Sequence, residues 1–216
     1  MDAPDLIAVA DGSCSRCRRF LGWNGKLLDP SDTSVPITSE DGNFHASTVT
    51  PCMAEMASIF TALSVAHAHI AALGLSSLPS AGNLAAGSSN DCHTSLPLRI
   101  YVFNDCMPAV EASVLFDPDD LRSKGAPHLV PLSDAIRQFK LELTGAGHTV
   151  IIRRPHRGRE AKLMKSPDHA ARRARMLIEQ GTHVDGVSVT LRLALEDSHE
   201  VLNGLTRDQL QIAMNF

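Results

Sequence analysis

Aromatic side chains are scarce in this chain. They make up 4% of its 216 residues, with one Trp, one Tyr and seven Phe. Its core must therefore be mostly aliphatic. Long apolar runs are absent too: no stretch approaches the roughly 20 residues that a membrane-spanning helix needs. The opening Met1-Asp2-Ala3-Pro4-Asp5 has neither the basic start nor the apolar run of a secretory signal. Cysteines are few, and their count of five is odd, with no spacing that makes a disulfide framework. These thiols are expected to be reduced, in a cytoplasmic or nuclear protein. An overall positive charge is also missing. The net charge is −4, which argues against a uniformly basic nucleic-acid binder. No internal repeat is visible.

What is present is enough for one domain with a real core. The chain is 44% hydrophobic and 20% charged, ordinary values for a globular protein. Its basic residues are unevenly placed. Residues 153–175 hold nine of the 20 Lys and Arg, namely Arg153, Arg154, Arg157, Arg159, Lys162, Lys165, Arg172, Arg173 and Arg175. Only Glu160 and Asp168 oppose them there. Such a patch attracts a phosphate backbone. Arg16, Arg18 and Arg19 form a smaller group near the N-terminus.

Along the chain, residues 6–10 form an apolar run that predicts a buried strand reaching a turn at Asp11-Gly12-Ser13. Residues 20–28, with Asn24-Gly25 inside, predict a second strand and a turn. Residues 29–41 are rich in Ser, Thr, Pro and Asp, and a short third strand is expected near 43–48. The strongest helix signal is 51–73, where Met56, Ile59, Phe60, Leu63, Ala66 and Ile70 recur at helical spacing and Pro51 suits the first turn. Residues 74–97 have the Ser/Gly/Ala/Asn composition of a flexible insertion. Residues 98–103 predict an apolar strand, 108–115 a short helix broken by Asp117-Pro118, and 133–143 a helix capped by Ser133. A strand is expected at 149–152 and a basic loop at 153–165. Ser166 as cap and Pro167 at the first position predict the last main helix, which ends at Gly181. The tail holds an alternating stretch, 187–195, and a helical pattern, 206–214, compatible with an added strand and helix or with part of an interface.

Four carboxylates fall at distinctive places. Asp11 and Asp105 follow apolar strands, and Glu55 and Asp168 open helices. In open α/β sheets, the carboxyl ends of strands and the starts of neighbouring helices gather in one crevice. Singly, each acid has an ordinary explanation: an Asp after a strand forms turns, and an Asp at a helix start favours the dipole. Together, convergent carboxylates offer the oxygen ligands that hard divalent cations require. Two such ions, roughly 4 Å apart, are a recurrent device for phosphodiester hydrolysis.

The ordered set resembles the ribonuclease H superfamily over about residues 6–180. The family's strand-borne Asp-Gly-Ser matches Asp11-Gly12-Ser13, its helix-borne Glu matches Glu55, its second-strand Asp matches Asp105, and its last Asp matches Asp168. A His-x-Gly loop ahead of that Asp matches His156-Arg157-Gly158. The resemblance implies an α/β fold: a mixed sheet of about five strands, the first three antiparallel, with helices on both faces. Residues 1–180 would form the catalytic domain and 181–216 an extension of unassigned role. It further implies an endonuclease that hydrolyses the RNA strand of RNA/DNA hybrids by a two-metal mechanism, leaving 5′-phosphate and 3′-hydroxyl ends. Two Mg²⁺ or Mn²⁺ ions are implied. Asp11 would bridge them, Glu55 and Asp105 would hold one, and Asp168 the other. His156 would assist proton transfer or product release. Arg16, Arg18, Arg19, Arg153, Arg154, Arg157, Arg159 and Lys162 are the candidate nucleic-acid contacts.

The chain also departs from the family. Ser15-Arg16-Cys17-Arg18-Arg19 stands in place of a Gly/Pro-rich turn, Pro51-Cys52 in place of an Asn pair, and Met107 in place of a polar residue. In bacterial-type members those polar groups help to read the ribose 2′-hydroxyl, which separates RNA from DNA. Two alternatives therefore stay open: a DNA nuclease or integrase-like enzyme on the same fold, and an inactive nucleic-acid- or protein-binding module. Asp185 is a rival to Asp168. A free-standing enzyme and a segment of a polyprotein or retroelement product are equally compatible with the sequence. Cys14-x-x-Cys17 is half of a zinc signature, to be completed only if the fold gathers Cys52, Cys92, Cys106 or His93.

Overall fold

The computed structural model describes residues 5–74, 97–185 and 187–216. Five strands, β1 (Asp5–Cys14), β2 (Phe20–Leu28), β3 (Pro36–His45), β4 (Arg99–Phe103) and β5 (Thr149–Arg153), form one sheet in the order β3-β2-β1-β4-β5. β1 pairs antiparallel with β2, and β2 with β3. β4 pairs parallel with β1 and with β5. This is the mixed five-stranded α/β sheet that the resemblance implied, with its first three strands antiparallel.

The helices are α1 (Pro51–Ala72), α2 (Met107–Val114), α3 (Pro118–Ser123), α4 (Val130–Gly145), α5 (Arg159–Leu163), α6 (Lys165–Glu179), α7 (Val189–Asn203) and α8 (Arg207–Ala213). α1 starts where Thr50 accepts the Met53 N–H and Pro51 takes the first position, whose N–H has no helical partner anyway. Its middle is buried on nearly every side, between the sheet and the layer of α4 and α7. Phe60 meets Phe139 of α4 edge-on at 4.8 Å. α6 covers the other face of β1, β2 and β3. Its buried face is Ala170, Ala171, Ala174 and Ile178, with Leu177 half-buried. Small side chains on the helix and Gly22 on the strand allow very close approach. A Cβ at Gly22 would lie 2.3 Å from the Arg175 nitrogen.

Several elements differ from the sequence expectations. β1 continues through Asp11-Gly12-Ser13 instead of turning, because Asp11 pairs across to Asn24. β2 likewise passes through Asn24-Gly25 without a turn. The fully buried Asn24 amide donates to Asp41, Ser39 and the Glu40 carbonyl of β3. β3 begins at Pro36, inside the polar stretch expected to be loop. It is an edge strand, largely exposed, which tolerates polar residues and a proline at its start. α4 begins three residues before Ser133, which does not cap it but donates from a buried position to the Ala112 carbonyl at 2.7 Å. The basic segment after β5 contains α5, and α6 begins at Lys165 with no side-chain cap. Ser166 instead accepts from Lys26 at 2.7 Å.

The alternating stretch 187–195 is helical from Val189 onward, not a strand. Its spacing of apolar residues fits both periods until the pattern Leu191, Ala194, Leu195, Ser198, Leu202 is followed to its end. α7 and α8 enter the same hydrophobic core as α1 and α4 through Leu191, Leu195, Leu202 and Ala213. Arg18 also ties the tail to the β1–β2 loop by donating to the Met214 carbonyl at 3.0 Å. The expected insertion lies almost wholly outside the described residues, as do Cys92 and His93. Among the described residues, no helix is long and apolar enough to cross a membrane.

Candidate metal centre

The strand register sets the site. β1 and β4 run parallel with Val9 opposite Phe103. Two residues beyond that pair stand Asp11, still on β1, and Asp105, in the turn just after β4, so neighbouring strands about 4.8 Å apart deliver both carboxylates to one place. β4 ends at Phe103 while β1 continues on its β2 side, which opens a crevice at the switch between parallel and antiparallel neighbours. Gly12 completes the approach. A Cβ there would lie 2.4 Å from the Ala54 carbonyl carbon and 2.5 Å from the Glu55 nitrogen, so only glycine lets α1 press this close. Its N–H donates to Glu55 Oε2 at 2.9 Å.

As a result Asp11, Glu55 and Asp105 each offer a carboxylate oxygen within 4.8 Å of one another. Asp11 is buried, Glu55 half-buried and Asp105 exposed. Asp168, in the first turn of α6, lies outside that group but acts on Asp11 through its charge and a side-chain hydrogen bond. Arg172 donates to Asp168 Oδ1 at 2.8 Å. Asp185 is exposed in the loop after α6 and is not among the groups that act on Asp11.

Crowded carboxylates resist ionisation. Burial, then the charges of Asp105 and Asp168, push Asp11 up to about 7. Burial, then the charge of Asp11, raise Glu55 well above the usual carboxylate range, although the Asn104 hydrogen bond acts the other way. This donor set fits a hard divalent cation: it is all oxygen, and a cation would supply the positive charge that these groups lack.

Asn104 was not singled out by sequence reasoning, yet it holds the centre together. It is fully buried. Its amide nitrogen donates to Glu55 Oε2 at 2.9 Å and to the Ala10 carbonyl at 3.0 Å, and lies 3.2 Å from Ser58 Oγ. Its oxygen accepts the Cys106 N–H at 2.9 Å. The only signal in the sequence was an amide beside the strand-end Asp. A second unforeseen feature is a thiol pair. Cys52 donates to Cys106, which lowers the Cys106 thiol to about 7 despite its partial burial, with the Arg154 guanidinium adding to the effect. Buried Cys52 is raised correspondingly. Cys14 and Cys17 do not join a metal-ligating cluster among the described residues.

The basic residues divide into two groups. Arg153 is held in a fork by Glu160 at 2.8 and 2.9 Å and lies over the Phe103 ring at 4.6 Å. Arg172, Arg173 and Arg175 pair with Asp168, Asp41 and Glu179. Arg154, Arg157, Arg159, Lys162 and Lys165 are exposed and form no ion pair among the described residues. Arg16 and Arg19 are exposed and Arg18 half-buried. His156 is exposed just before α5, where its N–H donates to Glu160 at 2.6 Å, and its ring makes no hydrogen bond to the four carboxylates among the described residues.

No family model matches this chain, and no curated protein matches it. Solved structures do. The N-terminal RNase H domain of Rv2228c from Mycobacterium tuberculosis, solved as a fusion with maltose-binding protein, is similar at 14% identity and a TM-score of 0.49, covering 83% of this chain and 99% of that one. LC11-RNase H1 in complex with an RNA/DNA hybrid is similar at 12% identity and a TM-score of 0.48, covering 81% and 99%. RNase H1 from the halophilic archaeon Halobacterium salinarum NRC-1 is similar at 14% identity and a TM-score of 0.45, covering 82% and 99%.

Proposed function

We infer that this chain is a metal-dependent endonuclease that hydrolyses the RNA strand of RNA/DNA hybrids and leaves 5′-phosphate and 3′-hydroxyl ends. The observation that carries the reading is the convergence of Asp11, Glu55 and Asp105 within 4.8 Å, with Asp168 acting on Asp11 from α6. These are the four acids of the ordered pattern seen in the sequence. When bound, two Mg²⁺ or Mn²⁺ ions supply an activated water and stabilise the leaving 3′ oxygen.

The chain's own groups do the rest. Asp11, at the centre of the cluster, would serve both ions. Glu55 and Asp105 would hold one of them, and Asp168, whose Oδ1 accepts from Arg172, would hold the other. Asp11 and Glu55, whose carboxyls are raised, would have to be ionised to hold a cation. His156 moves a proton at the leaving oxygen or helps the product depart. Arg154, Arg157, Arg159 and Lys162 on one side, and Arg16, Arg18 and Arg19 on the other, meet phosphates of the substrate backbone.

Comparing end-labelled RNA/DNA hybrid, double-stranded DNA and branched DNA as substrates tests this reading. Mg²⁺- or Mn²⁺-dependent cutting confined to the RNA strand of the hybrid supports it. Cutting of either DNA substrate in preference to the hybrid would transfer the chemistry to a DNA nuclease.

A further inference from the structure

The Glu55 carboxylate is held asymmetrically. Two N–H donors, from the Gly12 backbone and the Asn104 side chain, both fall on Oε2 at 2.9 Å. An oxygen that accepts two such bonds has both lone-pair directions occupied. Oε1 receives no hydrogen bond among the described residues. The orientation of Asn104 is itself fixed. Its oxygen must face the Cys106 N–H, so its nitrogen must face the two acceptors, Glu55 and the Ala10 carbonyl. One side chain thus joins β1, which carries Asp11, α1, which carries Glu55, and the turn between β4 and α2, which carries Asp105.

We propose that Asn104 is a positioning and metal-selectivity residue that restricts Glu55 to ligation through Oε1 alone. The assignment rests on the metal-centre reading above but not on the identity of the nucleic-acid substrate. Mg²⁺ demands near-ideal octahedral geometry with short bonds, which one-oxygen ligation by a rigid carboxylate satisfies. Ca²⁺ takes more ligands at longer distance and accepts carboxylates two oxygens at a time. Fixing Oε2 to two N–H groups therefore favours the smaller ion. Releasing it removes a hydrogen bond that orients the ligand, a kind of change that typically costs about 10- to 100-fold in metal affinity. The same release gives Ca²⁺ a second oxygen.

The test is thermal melting of the full chain titrated with MgCl₂ and, separately, with CaCl₂, which reads metal uptake without any cleavage. Wild type is compared with Asn104→Ala and Ser58→Ala. The Ser58 variant removes a neighbour of Asn104 in the same buried spot and leaves the bond to Glu55 in place. For Asn104→Ala the Mg²⁺ midpoint should rise about 10-fold or more, while the Ca²⁺ midpoint rises much less or falls. Ser58→Ala should leave the ratio of the two midpoints unchanged. Asn104→Ser, whose hydroxyl can donate one bond, should fall between wild type and alanine, and it serves as the test variant if alanine does not melt cooperatively. Equal shifts for both ions in Asn104→Ala, or no shift, overturn the assignment and leave the metal centre standing. A wild type whose melting ignores both ions overturns the metal centre and the assignment together. Wild type that takes up Mg²⁺ but cuts no hybrid removes the substrate reading alone.

Discussion

Replacing Asp11 by Asn should stabilise the metal-free protein while abolishing its response to metal. Asp11 is buried beside two other acids and is raised from 3.8 to about 7. A carboxyl whose folded value is raised binds more protons in the folded state than in the unfolded one. Stability is therefore lost as pH rises from about 4 through 7, and above that the full cost of an ionised Asp11 is present. At 1.36 kcal/mol per unit, a rise from 3.8 to about 7 corresponds to an upper bound of about 4 kcal/mol. The amide cannot ionise, but it also replaces an acceptor in a packed site, so a net gain of about 2 kcal/mol at pH 8 is a reasonable expectation. For a chain of this size that is a melting shift of about 4–8 °C. The assay is thermal or denaturant unfolding of wild type and Asp11→Asn in EDTA from pH 5 to pH 8, repeated with MgCl₂. The difference between the two proteins should be small at pH 5, grow towards pH 8 in favour of the variant, and close or reverse in Mg²⁺, because only wild type gains binding free energy. A variant that melts at or below wild type at pH 8 without metal, or a difference that ignores pH, would refute the electrostatic reasoning.

Three further outcomes follow from other parts of the centre. Gly12→Ala should destabilise the fold by about 1–3 kcal/mol through overpacking, because the new methyl meets the α1 backbone, and should weaken Mg²⁺ stabilisation by moving Glu55; denaturant melts and a Mg²⁺ titration read both. Cys106 should react with iodoacetamide at a rate that rises with pH around a midpoint near 7, well ahead of Cys14, whose thiol is pushed to about 11 by burial; peptide mapping by mass spectrometry after timed alkylation measures this. Changing Arg157, Arg159 and Lys162 together to Ala should lower the salt dependence of hybrid binding by about two to three in the log–log slope, with little effect on melting, whereas an unchanged slope would place the backbone elsewhere.

The clustering of Asp11, Glu55 and Asp105 is legible in the sequence because each acid sits next to a strong local signal. The apolar runs before Asp11 and Asp105 mark strand ends, and the long helical repeat starting at Pro51 places Glu55 near the helix start, although it stands in the second turn of α1 and not, as its helix-opening position suggested, in the first. β3 was largely misplaced because an edge strand with one wet face carries little hydrophobic alternation, and Asp29–Asp41 has the composition of a loop. α7 was ambiguous because Val187, Val189, Leu191, Leu193 and Leu195 alternate, although Val189 and Leu193 prove to be 74% and 55% exposed. The role of Asn104 could not be read from sequence at all. The three contacts of its amide nitrogen lie 94, 49 and 46 residues away, so they exist only once β1, α1 and β4 have converged. The charge of the basic run is partly met for a similar reason: Arg153 and Arg172 pair with Glu160 and Asp168 inside the run, and Arg173 and Arg175 with Asp41 and Glu179, which a local charge count leaves out.

The most direct measurement is cleavage of an end-labelled RNA/DNA hybrid with Mg²⁺ or Mn²⁺, wild type beside Asp105→Asn. The substitution keeps the shape of a side chain that is exposed at the cluster and removes the charge a cation needs. The account predicts RNA-strand products from wild type and none from the variant. Folded wild type that leaves the hybrid intact with both metals, or a variant that cuts as well as wild type, would contradict it.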